Sequence, residues 1–136
     1  MIIKKIKYED YDGNQREEEF YFNLSRAEIM KMEMSVQGGL DAKIKRLGQT
    51  KDAPEVMQLF EDIIAKAYGV KSLDGKRMVK SKELSEEFMQ TEAYSELLME
   101  LLSSPEAASE FINGVVAKDK LTIGSEVDST NPVIEK

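Results

Sequence analysis

The sequence predicts a mainly α fold: a compact helical domain with an N-terminal β-hairpin and a flexible C-terminal tail. Three observations predict it. Apolar residues recur at three- and four-residue spacing through much of residues 25–117, they alternate every second residue over 1–24, and all periodicity ends beyond 117. The expected organisation is a single helical domain over 1–117, hairpin 1–24 included, followed by a tail over 118–136.

The hairpin comes first. Ile2, Ile6 and Tyr8 share one phase of the first strand, and Phe20, Phe22 and Leu24 share one phase of the second. Lys5, Lys7, Glu17 and Glu19 fall on the opposite phase, so one face is apolar and the other is wet. The link Asp10-Tyr11-Asp12-Gly13-Asn14 has the chemistry of a turn, because Gly and Asn take positive φ at little cost. A two-stranded ribbon alone is marginal in water, so it lies on the helices that follow or pairs edge to edge with another copy.

Ser25 and Glu28 have the spacing of a capping box, and they precede Ile29, Met30, Met32 and Met34 on a first helix. Gly38-Gly39 breaks it, and a short basic piece follows from Leu40 to Leu47 with Ile44 in phase. Asp52 and Glu55 repeat the capping spacing, with Pro54 in the first turn, where its missing N–H costs little. Behind them Val56, Leu59, Phe60, Ile63, Ile64, Ala67 and Tyr68 form the clearest apolar stripe in the chain, with Gly69 as its stop.

The pattern lapses from Val70 to Lys82, around an Asp74-Gly75 turn and a short extended piece at Met78-Val79. Helices resume over 82–89 and 92–102, the second with Ala93, Tyr94, Leu97, Leu98, Leu101 and Leu102 on a wide stripe. Ser104-Pro105 reads as N-cap and first residue of a last helix that buries Ala108, Phe111, Ile112 and Val115.

Composition excludes much chemistry. The 136 residues include no cysteine and no histidine, which removes disulfides, thiolate nucleophiles, catalytic triads and the usual transition-metal ligand sets. Acids outnumber bases 26 to 19, a net charge of −7, which disfavours a general nucleic-acid binder. No apolar run approaches the roughly 20 residues of a membrane span, and no signal peptide is apparent, so a cytoplasmic protein is expected.

The motifs that resemble chemistry have simpler readings. An EF-hand count through Gly13 places Asp10, Asp12 and Glu19 at ligand positions, but Tyr8 stands where the first carboxylate belongs and strands replace the flanking helices. The pairs Glu17-Glu18-Glu19, Glu61-Asp62 and Glu86-Glu87 lie on wet faces, whereas acid–base catalysis needs two carboxylates in different environments. Gly38-Gly39 lacks the spacing of a phosphate loop. No catalytic residue, cofactor site or metal site is expected.

Two features suit binding. Met30, Met32 and Met34 crowd one short helix, which cannot turn all three into one core; flexible thioethers either meet varied apolar partners or fill gaps in a core. Met99 lies off the main stripe of its helix and is the fourth candidate contact residue. Charge is also segregated: residues 83–110 hold eight glutamates and no base, next to five bases against one acid over 71–82. Such blocks are either wet faces or a means to hold neighbouring copies in register.

The run Ile63-Ile64-Ala65-Lys66-Ala67-Tyr68-Gly69, then Asp74-Gly75-Lys76-Arg77 and Lys80-Ser81, resembles the tail assembly chaperones of long-tailed (siphovirus-type) bacteriophages. So do Gln90-Thr91-Glu92-Ala93-Tyr94-Ser95-Glu96-Leu97 and Glu110-Phe111-Ile112-Asn113-Gly114, in the same order along most of residues 16 to 117. The resemblance implies a non-enzymatic late protein of virion assembly that acts in the host cell cytoplasm. Such a protein coats the tape measure protein and keeps it soluble while tail tube protein polymerises around it, and it is absent from the mature virion. This chain would be the short, unshifted product, with a frameshifted longer product recruiting the tube protein and with self-association between copies. The competing readings are a small acidic phage protein that inhibits a host factor and a minor virion structural component.

Overall fold

The computed structural model describes residues 1–35 and 52–116, together with Ala42, Lys45, Arg46 and Gln49. Apart from those isolated positions, the expected break at Gly38-Gly39, the basic piece from Leu40 to Leu47 and the tail over 118–136 lie outside the described residues.

The hairpin forms as its alternation requires. Strands β1 (Ile2–Glu9) and β2 (Gln15–Phe22) pair antiparallel from Ile2↔Phe22 to Glu9↔Gln15. Ile6, Phe22 and Leu24 are buried, whereas Lys5, Lys7, Glu17 and Glu19 are exposed. The Asp10 carboxylate closes the turn: Oδ1 accepts from the N–H of Asp12 and of Asn14, each at 2.9 Å, and Oδ2 meets Arg16 Nε at 2.5 Å. Turn formation therefore accounts for the Asp-Gly composition that resembles a calcium loop.

Five helices follow among the described residues: α1 (Arg26–Ser35), α2 (Ala53–Ala67), α3 (Lys82–Met89), α4 (Glu92–Ser103) and α5 (Pro105–Val115). Their starts are chemically marked. Glu28 N–H donates to Ser25 Oγ at 3.2 Å while Ser25 N–H donates to Glu28 Oε1 at 2.8 Å, a complete capping box. Asp52, Ser81, Thr91 and Ser104 cap the other four, with proline in the first turn of α2 and α5.

The sheet is larger than the hairpin. Strand β3 (Tyr68–Lys71) pairs with β2 through Tyr21↔Gly69 and Phe22↔Tyr68, and β4 (Met78–Val79) pairs with β3, giving the antiparallel order β1-β2-β3-β4. Two expectations change here. Tyr68 does not extend the α2 stripe: it turns extended at φ −65°, ψ 138° and opens β3. Gly69 is not a left-handed helix stop but a strand residue at a close approach, where a Cβ would stand 2.9 Å from Met78 Cγ and 3.0 Å from the Val79 carbonyl oxygen.

One face of the sheet carries the core. Phe22, Leu24, Ile63, Ile64, Leu97, Phe111 and Val115 are the largest side chains removed from solvent almost entirely. Around Phe22 stand the rings of Tyr68, Phe88 and Phe111, with centroids 5.3–5.8 Å away, and Tyr68 stacks on Phe88 at 4.6 Å and 14°. Such aromatic pairs add roughly 0.5–1.5 kcal/mol beyond their buried area. The helical stripes therefore close over the apolar face of the sheet, leaving the wet face of β1 and β2 to water.

Candidate partner-binding surfaces

The three methionines of α1 divide as helix geometry demands. Met32 is 6 % exposed and packs in the core, whereas Met30 and Met34, four apart and so on one face, are 53 % and 78 % exposed. Met99 on α4 is 62 % exposed. Of the four candidate contact residues, Met30, Met34 and Met99 thus stand at the surface, with Met99 on a different helix from the other two. Met57 on α2 and Leu73 between β3 and β4 are exposed as well; sequence reasoning had not singled them out.

Beside α1 lies a cleft of ≈ 640 Å³ bounded by α1, the end of α2 and α3. Leu24, Met32 and Met89 give it an apolar lining, and Lys31, Lys66, Lys80, Lys82, Glu28 and Glu86 give it charge. Its volume is in the range of small-ligand sites, although its open shape suits a polypeptide segment equally. Met32 thus serves the core and the cleft wall together.

Lys80 fixes the cleft. Its ammonium donates to the Asn23 carbonyl at 2.5 Å, to the Lys66 carbonyl at 3.0 Å, and to Glu28 Oε1 and Oε2 at 2.8 and 2.9 Å. One cation therefore joins the β2–α1 link, the end of α2 and the first turn of α1. Burial pushes the Glu28 carboxyl up, but the Lys80 hydrogen bond, the Ser25 N–H and the Lys80 charge together hold it below the usual range.

The other perturbed groups have structural causes. Tyr8 donates to Glu18 at 2.6 Å, which raises the phenol to about 12. Burial raises Tyr94 to about 12, with the charge of Glu61 adding to the effect, although its hydroxyl has no partner in hydrogen-bonding geometry among the described residues. Phenols shifted upward are poor bases at neutral pH, and neither residue faces a second group with which to share a proton. Asp62 accepts from Gln58 Nε2 at 3.0 Å, so part of the Glu61-Asp62 pair is occupied by a helix-surface contact.

The charge blocks become surfaces. The glutamates of 83–110 lie along α3, α4 and α5, while Lys71, Lys76 and Arg77 decorate the β3–β4 ribbon. Lys71 Nζ stands 5.7 Å over the Tyr21 ring. No described helix is long and apolar enough to cross a membrane.

Against known proteins, the chain is matched over residues 1–129 by a family model described as phage tail assembly chaperone. No curated protein and no solved structure matches.

Proposed function

Because the chain belongs to the phage tail assembly chaperone family, we propose that it binds the tape measure protein and keeps it soluble while tail tube protein assembles around it. Membership implies a non-enzymatic role, and the match over residues 1–129 is the observation that carries the reading. Residues 1–117 act as one domain with 118–136 as its tail. Several copies coat one client, leave as the tube advances and are absent from the finished virion, so the protein works in the host cytoplasm. The tube protein is reached through a frameshifted longer product.

The surfaces support this reading physically. A long helical client exposes apolar residues at i, i+3, i+4 and i+7, which apolar grooves and flexible thioethers receive without demanding one sequence. Met30 and Met34 offer such contacts close to the cleft wall supplied by Lys31 and Met32. Weak contacts repeated along one polymer hold it by avidity, yet each copy can be displaced singly. Met99, in acidic surroundings, is a second place where a chain can dock.

Co-expression with the tape measure protein, followed by sedimentation, tests the proposal. The client should move from the pellet to the supernatant and co-purify with the chaperone. Unchanged client solubility with nothing co-purifying overturns it.

A further inference from the structure

Two surfaces of this molecule complement each other in shape and charge. The first is the tip of the β3–β4 ribbon. Ser72 N–H donates to the Arg77 carbonyl at 2.9 Å and Gly75 N–H to the Ser72 carbonyl at 2.9 Å. Asp74 Oδ1 accepts from the Ser72 hydroxyl at 2.7 Å and from Lys76 N–H at 3.0 Å, and Arg77 N–H donates to Ser72 Oγ at 3.0 Å. A turn held by five hydrogen bonds keeps its shape, yet at its tip Leu73 is fully exposed. Core packing does not explain that leucine. Lys76 and Arg77 beside it meet no carboxylate among the described residues, so the tip is a rigid apolar knob in a basic collar.

The second surface is the outer face of α4. Met99 and Leu102 are exposed and three apart, and Glu92 and Glu96 share their face at seven and three residues before Met99. Glu96 meets no base among the described residues, and none of residues 83–110 is basic. This is an apolar patch in an acidic field.

We propose that the Leu73 tip of one copy seats on the Met99–Leu102 patch of the next, so that copies of the chain associate head to tail. The inference rests on the reading above only in that several copies stand side by side on a client. A head-to-tail contact leaves each copy with one free knob and one free patch, so it propagates into a ring or a filament rather than stopping at a dimer. A single leucine with a charged collar buries far less than the about 1,200 Å² of a stable interface, so each contact is weak and reversible. The charges set register and encounter rate more than affinity, and salt screens them.

Sedimentation velocity of the purified chain across a concentration series tests this. The weight-average sedimentation coefficient should rise with concentration at low ionic strength, and the rise should be lost at high salt. A knob-reversed variant, Lys76→Glu with Arg77→Glu, should stay monomeric, as should a patch-reversed variant, Glu96→Lys with Ser103→Lys. Mixed in equal amounts, the two should assemble again, because each reversed surface then finds an opposite one. That rescue also demonstrates that both variants are folded. Leu73→Ser should abolish assembly with the charges intact. A wild-type chain that stays monomeric throughout, variants that assemble as wild type, or a mixture that fails to assemble overturns the proposal. The measurement uses the chaperone alone, so its failure leaves client binding standing, and failure of the co-expression assay leaves this contact standing.

Discussion

The ammonium of Lys80 lies 2.8 Å and 2.9 Å from the two carboxylate oxygens of Glu28, 52 positions earlier in the chain. Glu28 completes the capping box of α1 at the same time, so the start of that helix is tied to the end of the β4 ribbon. The same lysine holds the carbonyls of Asn23 and Lys66.

Replacing Lys80 with Met keeps much of the stem but leaves Glu28 and two carbonyls without their cation. Hydrogen bonds to charged groups are worth about 1.5–3 kcal/mol, so Lys80→Met should cost about 2–3 kcal/mol in urea unfolding. A loss under about 0.5 kcal/mol, the scale of an ordinary surface change, would show that the lysine is only a solvated charge.

Acid should weaken the hairpin turn. The Asp10 carboxyl is lowered from 3.8 to about 2, chiefly by the Arg16 hydrogen bond and then by the N–H of Asn14. A carboxyl lowered by folding contributes stability that is complete above its unfolded value and lost as pH falls through its folded value. Stability should therefore decline between about pH 4 and pH 2, and Asp10→Asn should flatten that part of the profile. Parallel urea titrations of both proteins at pH 5, 3 and 2 check it; identical slopes would remove Asp10 from the account.

Gly69→Ala should destabilise the protein by about 1–3 kcal/mol, as overpacking generally does. The new Cβ meets the Val79 carbonyl oxygen at 3.0 Å and Met78 Cγ at 2.9 Å; the methionine can yield, but the backbone cannot without shifting β4. Thermal unfolding measures the effect, and an unchanged midpoint would mean that β3 and β4 separate freely.

The α1 methionines should separate binding from stability. Met30→Ser with Met34→Ser changes exposed side chains and should leave stability within about 0.5 kcal/mol per site while lowering the yield of soluble client. Met32→Ser empties part of the core and should cost about 2–5 kcal/mol. Full client solubility with the double variant would move the contact surface away from α1.

Much of this fold was legible in the sequence because its elements follow local rules. The α2 stripe, the Ser104-Pro105 start of α5 and the two phases of the hairpin all stand where spacing and capping chemistry put them. The rest depends on contacts that no window of sequence contains. Strand β4 has two residues and β3 four, too short for any period to emerge, and Tyr68 keeps perfect helical spacing from Ile64 while belonging to a strand. Lys80 sits in a basic stretch and reads as solvated until three distant segments are brought around it. Among the contact candidates, periodicity showed that the α1 methionines must divide, but only packing decided that Met32 goes inward. Leu73 went unnoticed because an isolated leucine in a turn has no pattern at all.

The link between hairpin and α1 is fastened to segments made much later in synthesis. Asn23 N–H donates to the Ala67 carbonyl at 2.8 Å, and Leu24 N–H to the Val115 carbonyl at 3.4 Å. A ribosome that has produced the hairpin has produced a ribbon that is marginal by itself, with Phe22 and Leu24 still uncovered. That cover is completed only when α5 emerges, near the end of translation. The nascent chain therefore carries an open apolar face through most of its synthesis and closes it late, in one cooperative step, so a chain that terminates before α5 should be a target for proteolysis rather than a smaller chaperone.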